Sequence, residues 1–376
     1  MAVYIIGLLL IIGCNIPPLV FKKKKMWTVV CLAVSCFFMW FLCTFKSLSI
    51  GNDTIKYYNS YLESSDPSLI TAARDVGFGV FRFVCAKMHL PWIMFLGLCN
   101  FPLFFGAALY AYKRTPFPTL IPFFVYTFLL FEFALSGLRQ SMAVGFLLIG
   151  MTFFKKEKWY TWLIYFAFNA VAISVHKSSA VMVVYPLLSL IALSKLSIFF
   201  FSMILLILII FVSQIESFAF YIIYYLEYYP NNASSNYTFI FIFLLTTILV
   251  VLSIFTPKFL DFLNEKADSI SLKLFKKDLN TISIDTSKNK LLFKETFFLS
   301  LPLHIFLIIG LFSNTSVRGY YFSVVSFASS IVLFIYSQKS RLLRIVLMCL
   351  FIILFSAYFF ISFIRRSNCV PYDFIF

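Results

Sequence analysis

The chain has 376 residues, of which 62% are hydrophobic and only 12% charged, and it carries a formal net charge of +16. Soluble globular domains hold roughly 45–50% apolar and about 25% charged residues, so a water-solvated fold is excluded and lipid must act as solvent. The excess of Lys and Arg does not imply nucleic acid, because the basic residues segregate by loop along the chain.

Uninterrupted apolar runs predict an all-α polytopic integral membrane protein. Lipid offers backbone groups no partners outside a helix or a closed barrel, and the short alternating segments of a barrel are missing from the sequence. Runs such as 196–214 and 345–364 carry no charge and are long enough to cross a hydrocarbon core of about 30 Å. About twelve spans are predicted by this rule, near 2–21, 27–45, 90–111, 117–135, 137–154, 159–175, 178–194, 196–214, 238–256, 296–313, 319–337 and 345–364. Residues 1–376 read as a single transmembrane domain. Lys22–Lys25 follows the first apolar run instead of preceding it, the wrong polarity for a cleaved signal, so that run reads as a span. Eight cysteines lie scattered without a CxxC pair, which supports neither a zinc site nor a disulfide framework.

Three connections are long. Residues 46–89 hold Gly51-Asn52-Asp53-Thr54, several tyrosines and a stretch, 75–88, whose mixed apolar and basic character suits the membrane interface. Residues 215–237 crowd Tyr221, Tyr224, Tyr225, Tyr228 and Tyr229 together, as an aromatic belt or a sugar-stacking surface does. Residues 257–294 are rich in Lys, Ser, Asn and Asp and read as a solvated connector. Alternate loops divide the 31 basic residues 21 to 10. The richer set is assigned to the cytoplasm, which places 257–294 inside and 46–89 and 215–237 outside.

Basic residues on the sparser side are the informative ones, since ionisable groups near spans are costly. Arg139 opens one span, Arg318 opens another, and His176-Lys177 closes a third. Outward carboxylates are Asp53, Asp75 and Glu132, the last seven residues before Arg139 and a possible ion-pair partner for it. A guanidinium presents a rigid donor fork to phosphate oxygens, and a histidine takes or gives a proton near neutral pH. Together they describe glycosyl transfer from a lipid diphosphate, with cations on the departing diphosphate and a base on the acceptor hydroxyl. His304, in mid-span, and His89, beside Pro91, read as structural.

Gly51-Asn52-Asp53-Thr54 with Tyr57/Tyr58, Leu138-Arg139-Gln140, Val175-His176-Lys177-Ser178-Ser179-Ala180, Arg318-Gly319-Tyr320-Tyr321 and Pro371-Tyr372 together resemble the EpsG branch of the Wzy-type polysaccharide polymerases, in order and spacing from about residue 46 to 376. The resemblance implies a GT-C-like membrane glycosyltransferase in the bacterial cytoplasmic membrane, active at its outer face. It would join repeat units of O-antigen, capsule or exopolysaccharide carried on undecaprenyl diphosphate, without a nucleotide sugar, cofactor or essential metal. Implied partners are the lipid-linked oligosaccharide, the growing polysaccharide, membrane lipids and a chain-length regulator, with no nucleic acid. Matching residue by residue makes His176 and Asp53 the expected catalytic groups, and Arg139, Arg318, Lys177, Tyr320 and Tyr321 the expected diphosphate and glycan contacts. One departure is visible: the family often has a Glu-x-Gly-Phe element where this chain has Asp75-Val76-Gly77-Phe78, and the shorter carboxylate puts a catalytic role for Asp75 in doubt. Competing readings are an O-antigen ligase-like transferase and a lipid-linked oligosaccharide flippase.

Overall fold

The computed structural model describes residues 2–71, 75–128, 130–190, 257–275, 288–296, 319, 321–366, 369 and 372–375. These are helical throughout, apart from turns and one isolated antiparallel bridge, Lys46 with Phe374. In chain order the helices are α1 (Ala2–Gly13), α2 (Pro17–Val20), α3 (Lys24–Thr44), α4 (Thr54–Leu62), α5 (Ser68–Thr71), α6 (Val76–Lys87), α7 (Trp92–Arg114), α8 (Leu120–Thr127), α9 (Leu130–Ala134), α10 (Leu138–Phe153), α11 (Trp159–Val175), a 3₁₀ segment (Lys177–Val183), α12 (Val184–Leu188), α13 (Pro257–Phe275), α14 (Val324–Tyr336) and α15 (Arg341–Arg366). Among the described residues, four helical stretches are long and apolar enough to cross a membrane: Ala2–Val20, Lys24–Thr44, Trp92–Arg114 and Arg341–Ile361. Of the other predicted spans, 196–214, 238–256 and all but the first residue of 296–313 lie outside the described residues, as does the loop 215–237.

The chain divides into two compact units, Met1–Pro186 with Ile352–Phe376, and Leu187–Phe351. In the first unit α7 packs along both α3 and α10, and α10 along α11. The α7–α10 crossing is close because small residues face each other. A Cβ on Gly106 would meet the backbone of Gly145, and one on Gly145 would meet the backbone at Pro102 and Leu103. Lipid tails supply no hydrophobic drive between helices, so this backbone-to-backbone fit provides the cohesion. Large apolar side chains such as Leu9, Phe37, Phe101, Leu163 and Ile353 remain exposed, as a lipid-facing surface requires.

The run 117–135, expected as one span, is instead two helices, α8 and α9. α8 is buried on every side, with Phe123, Phe124 and Tyr126 at 0% exposure, whereas α9 buries Leu130, Phe131 and Ala134 and leaves Glu132 and Phe133 partly exposed. A helix apolar all round, as α8 is, belongs in a core, and neither piece is long enough to cross a bilayer alone. Their end delivers Leu135 to Gly137, the residues just ahead of α10.

The C-terminal residues close over the same end of the unit. The Tyr372 hydroxyl donates to the Leu42 carbonyl at 2.6 Å, and the Tyr4 hydroxyl to that of Cys369 at 2.6 Å. The Ser47 amide donates to Asp373 O at 2.8 Å. In the second unit, the stretch read as a solvated connector contains the 19-residue α13. Its buried Asn264 accepts from the Ser340 amide at 2.8 Å and donates to Gln338 Oε1 at 3.2 Å.

Candidate functional site

Asp75 sits immediately before α6, where an aspartate ordinarily caps the first helical amides. Its side chain makes no cap bond. Instead its Oδ1 accepts from the Lys177 backbone amide at 3.1 Å, and its Oδ2 accepts from Arg139 Nη1 at 2.6 Å. The same Oδ2 lies 3.6 Å from His176 Nδ1. The Asp75 side chain is only 2% exposed, whereas Arg139 keeps 30% and His176 21%. A buried carboxylate thus gathers an arginine from α10 and a histidine and an amide from the junction of α11 with the 3₁₀ segment, and the arginine and histidine side chains keep access to solvent.

Each residue around Asp75 explains part of this placement. A Cβ on Gly77 would collide with Ser174 Oγ and lie 2.7 Å from Ser174 Cβ, so glycine lets α6 start against the last turn of α11. Phe78 is buried, edge-on to Tyr57 at 6.0 Å and to Phe95 at 6.1 Å. Beyond α11 the chain turns extended at His176 (φ −155°, ψ 108°) before the 3₁₀ segment. The His176 amide still bonds back to Ala172 O at 2.8 Å. Burial opposes ionisation of Asp75, but the His176 contact, the Lys177 amide and the Arg139 charge outweigh it and hold the carboxyl below its ordinary value.

Arg139 stands in the first turn of α10 and is fixed from a third direction by α4. Its Nε donates to the Tyr57 hydroxyl at 3.3 Å, and its guanidinium carbon lies 5.9 Å from the Tyr57 ring centre. The start of α10 is itself anchored by the motif at 51–54. Gly51 has φ of +84°, and a Cβ there would strike the Leu135 carbonyl. Lys46, fully buried, donates to that same carbonyl and to Thr54 Oγ1 at 3.0 Å, while Thr54 Oγ1 donates to Ile50 O at 2.5 Å.

Of the expected site residues, the structure brings together Arg139, His176 and the backbone of Lys177, whose side chain is exposed. Asp53 precedes α4 and forms an ion pair with Lys56 at 3.7 Å; it has no hydrogen bond or ion pair to Arg139 or His176 among the described residues. Arg318 and Tyr320 lie outside the described residues, and Tyr321 occupies the turn ahead of α14. Sequence reasoning undervalued Asp75 and missed Lys46 and Gly77. The available signals were an Asp-x-Gly sequence at a helix start and a lysine directly after an apolar span.

These features define a helical membrane protein with a buried carboxylate set between an arginine and a histidine at one end of its first unit. The sequence matches the model of the EpsG family over residues 29–374, and the chain belongs to that family. Membership makes it a polysaccharide-polymerase-like membrane protein in coarse terms. Comparison with curated proteins and with solved structures finds no match.

Proposed function

We propose that this EpsG-family protein is a membrane glycosyltransferase that polymerises oligosaccharide repeat units carried on undecaprenyl diphosphate at the outer face of the bacterial cytoplasmic membrane. In this reading the two units act as one membrane-embedded enzyme with about twelve spans and a GT-C-like architecture. The observation that carries it is the buried carboxylate of Asp75, which bonds Arg139 at 2.6 Å and stands 3.6 Å from His176 Nδ1.

Glycosyl transfer needs a cation on the leaving group and a base on the acceptor. The acceptor hydroxyl oxygen attacks the anomeric carbon of the donor chain, and the bond from that carbon to the diphosphate oxygen breaks. The diphosphate leaves with the electron pair, its charge met by Arg139. The hydroxyl proton passes to His176 Nε2. Asp75 faces Nδ1 and so favours the tautomer with its proton on Nδ1 and its lone pair on Nε2. Asp75 is a positioning residue here, whereas His176 takes the acceptor role otherwise open to Asp53. On sequence alone, Arg318 is assigned to phosphate, Tyr320 and Tyr321 to sugar faces, and the exposed Lys177 side chain to outlying charge.

The test is reconstitution of the full chain in liposomes with a lipid-diphosphate-linked repeat unit and no nucleotide sugar. A ladder of polymer is expected. Folded, inserted protein that leaves the repeat unit unextended overturns the reading.

A further inference from the structure

The contact between α4 and α6 holds a second guanidinium that the transfer scheme does not use. Tyr57 and Ser60 lie one turn apart on α4, and Phe78 and Arg82 one turn apart on α6. Tyr57 meets Phe78 at 6.0 Å between ring centres, and Ser60 Oγ accepts from Arg82 Nη1. Arg139 reaches the same face of α4 through the Tyr57 hydroxyl at 3.3 Å. Two guanidiniums therefore address neighbouring turns of one short helix.

Their charges are unequally compensated. Arg139 has Asp75 at 2.6 Å. Arg82 has no carboxylate within ion-pair distance among the described residues, and its Nε is shut off from water without a hydrogen-bond partner. The exposed Glu63 acts on it only from farther away, while burial first and the Arg139 charge second push the Arg82 guanidinium down from its ordinary value. A half-buried cation beside another cation carries a standing desolvation and repulsion cost, which an arriving anion offsets. The planar fork of each arginine suits phosphate oxygens.

We propose that Arg82 is a phosphate-binding residue that forms, with Arg139, a two-guanidinium subsite for a phosphate or diphosphate ester beside α4. The identity of the ligand as the lipid diphosphate of the substrate, and not a bulk anionic headgroup, rests on the polymerase reading above.

The experiment titrates full-length protein in phosphatidylcholine nanodiscs with geranylgeranyl diphosphate as probe. Arg82→Gln is expected to weaken binding about ten- to hundredfold, the range of one lost charge-assisted contact. Arg82→Lys should weaken it several-fold, and Lys87→Gln, an equal charge change on the exposed side of the same helix, should leave it within about twofold. Unchanged affinity in Arg82→Gln, equal weakening in Lys87→Gln, or no binding by the wild type would each overturn the proposal. If Arg82→Gln does not fold, as judged by its elution profile, Arg82→Lys decides, and wild-type affinity in that variant overturns it. A parallel titration in phosphatidylglycerol nanodiscs separates the two sources. Loss of probe binding there in the wild type would make Arg82 a headgroup anchor and also overturn the proposal. These outcomes are independent of the polymer ladder, so the transferase reading stands or falls separately.

Discussion

Gly77 and Ser174 touch where α6 begins and α11 ends, and this contact sets Asp75 beside His176 and Lys177. No side chain fits between the two backbones, because an added Cβ would lie 2.8 Å from the Ser174 carbonyl carbon as well as against its side chain.

Gly77→Ala is therefore expected to separate α6 from α11 and reduce polymer yield at least tenfold, with membrane abundance little changed; a loss of that size is a shift of about 1.4 kcal/mol. Ser174→Gly in the same chain removes the side-chain part of the collision and should restore part of the yield. Quantifying polymer by gel in cells carrying each variant checks this. A Gly77→Ala protein with wild-type yield would show that the close approach is dispensable.

Asp75 shows why the site was only half legible in the sequence. An aspartate ahead of a helix normally reads as a cap, and its actual partners lie 64 and 102 positions away, beyond any local pattern. Arg139 and His176 stood out because a charge at the sparser face of a membrane protein is visible from loop arithmetic alone. The long helices α3, α7 and α15 followed from uninterrupted apolar length. The division of 117–135 into α8 and α9 did not, since the sequence stays apolar across the junction at Phe128 and hydropathy carries no mark of the break. Asp53 drew attention through its motif, yet that motif works through Gly51 and Thr54 at the Leu135 carbonyl.

Acid stability should report the environment of Asp75. Its carboxyl is held below the ordinary value of 3.8, so its stabilising contribution is complete above that value and is lost as pH falls through the lowered one. Between pH 5 and 8 Asp75 adds no pH dependence, because both limits lie below that window. Arg139→Gln removes one of the charges holding the proton off, and the acid-side loss of thermal stability should move to higher pH. Unfolding temperatures of detergent-solubilised protein from pH 3 to 6 provide the measurement. An identical acid limb in both proteins would mean that Arg139 does not act on Asp75.

His176 is expected to separate proton transfer from hydrogen bonding. A general base contributes about 10²–10⁴-fold to rate, so His176→Ala should accumulate single repeat units on lipid while the protein still inserts. His176→Gln keeps a donor and an acceptor but takes up no proton near neutral pH, and it should behave like the alanine variant. Mass spectrometry of extracted lipid-linked glycans distinguishes single units from polymer. Substantial polymer from both variants would remove His176 as the base.

Whether Asp75 and Arg139 work as one unit is tested most directly by initial polymerisation rates of reconstituted wild type, Asp75→Asn, Arg139→Gln and the double variant. Each single change is expected to lower the rate by about 10²-fold, and the double variant should be no slower than the worse single one, because residues acting together lose their effect together. Strictly multiplicative losses, or a wild-type rate from Asp75→Asn, would contradict a carboxylate-organised transfer site.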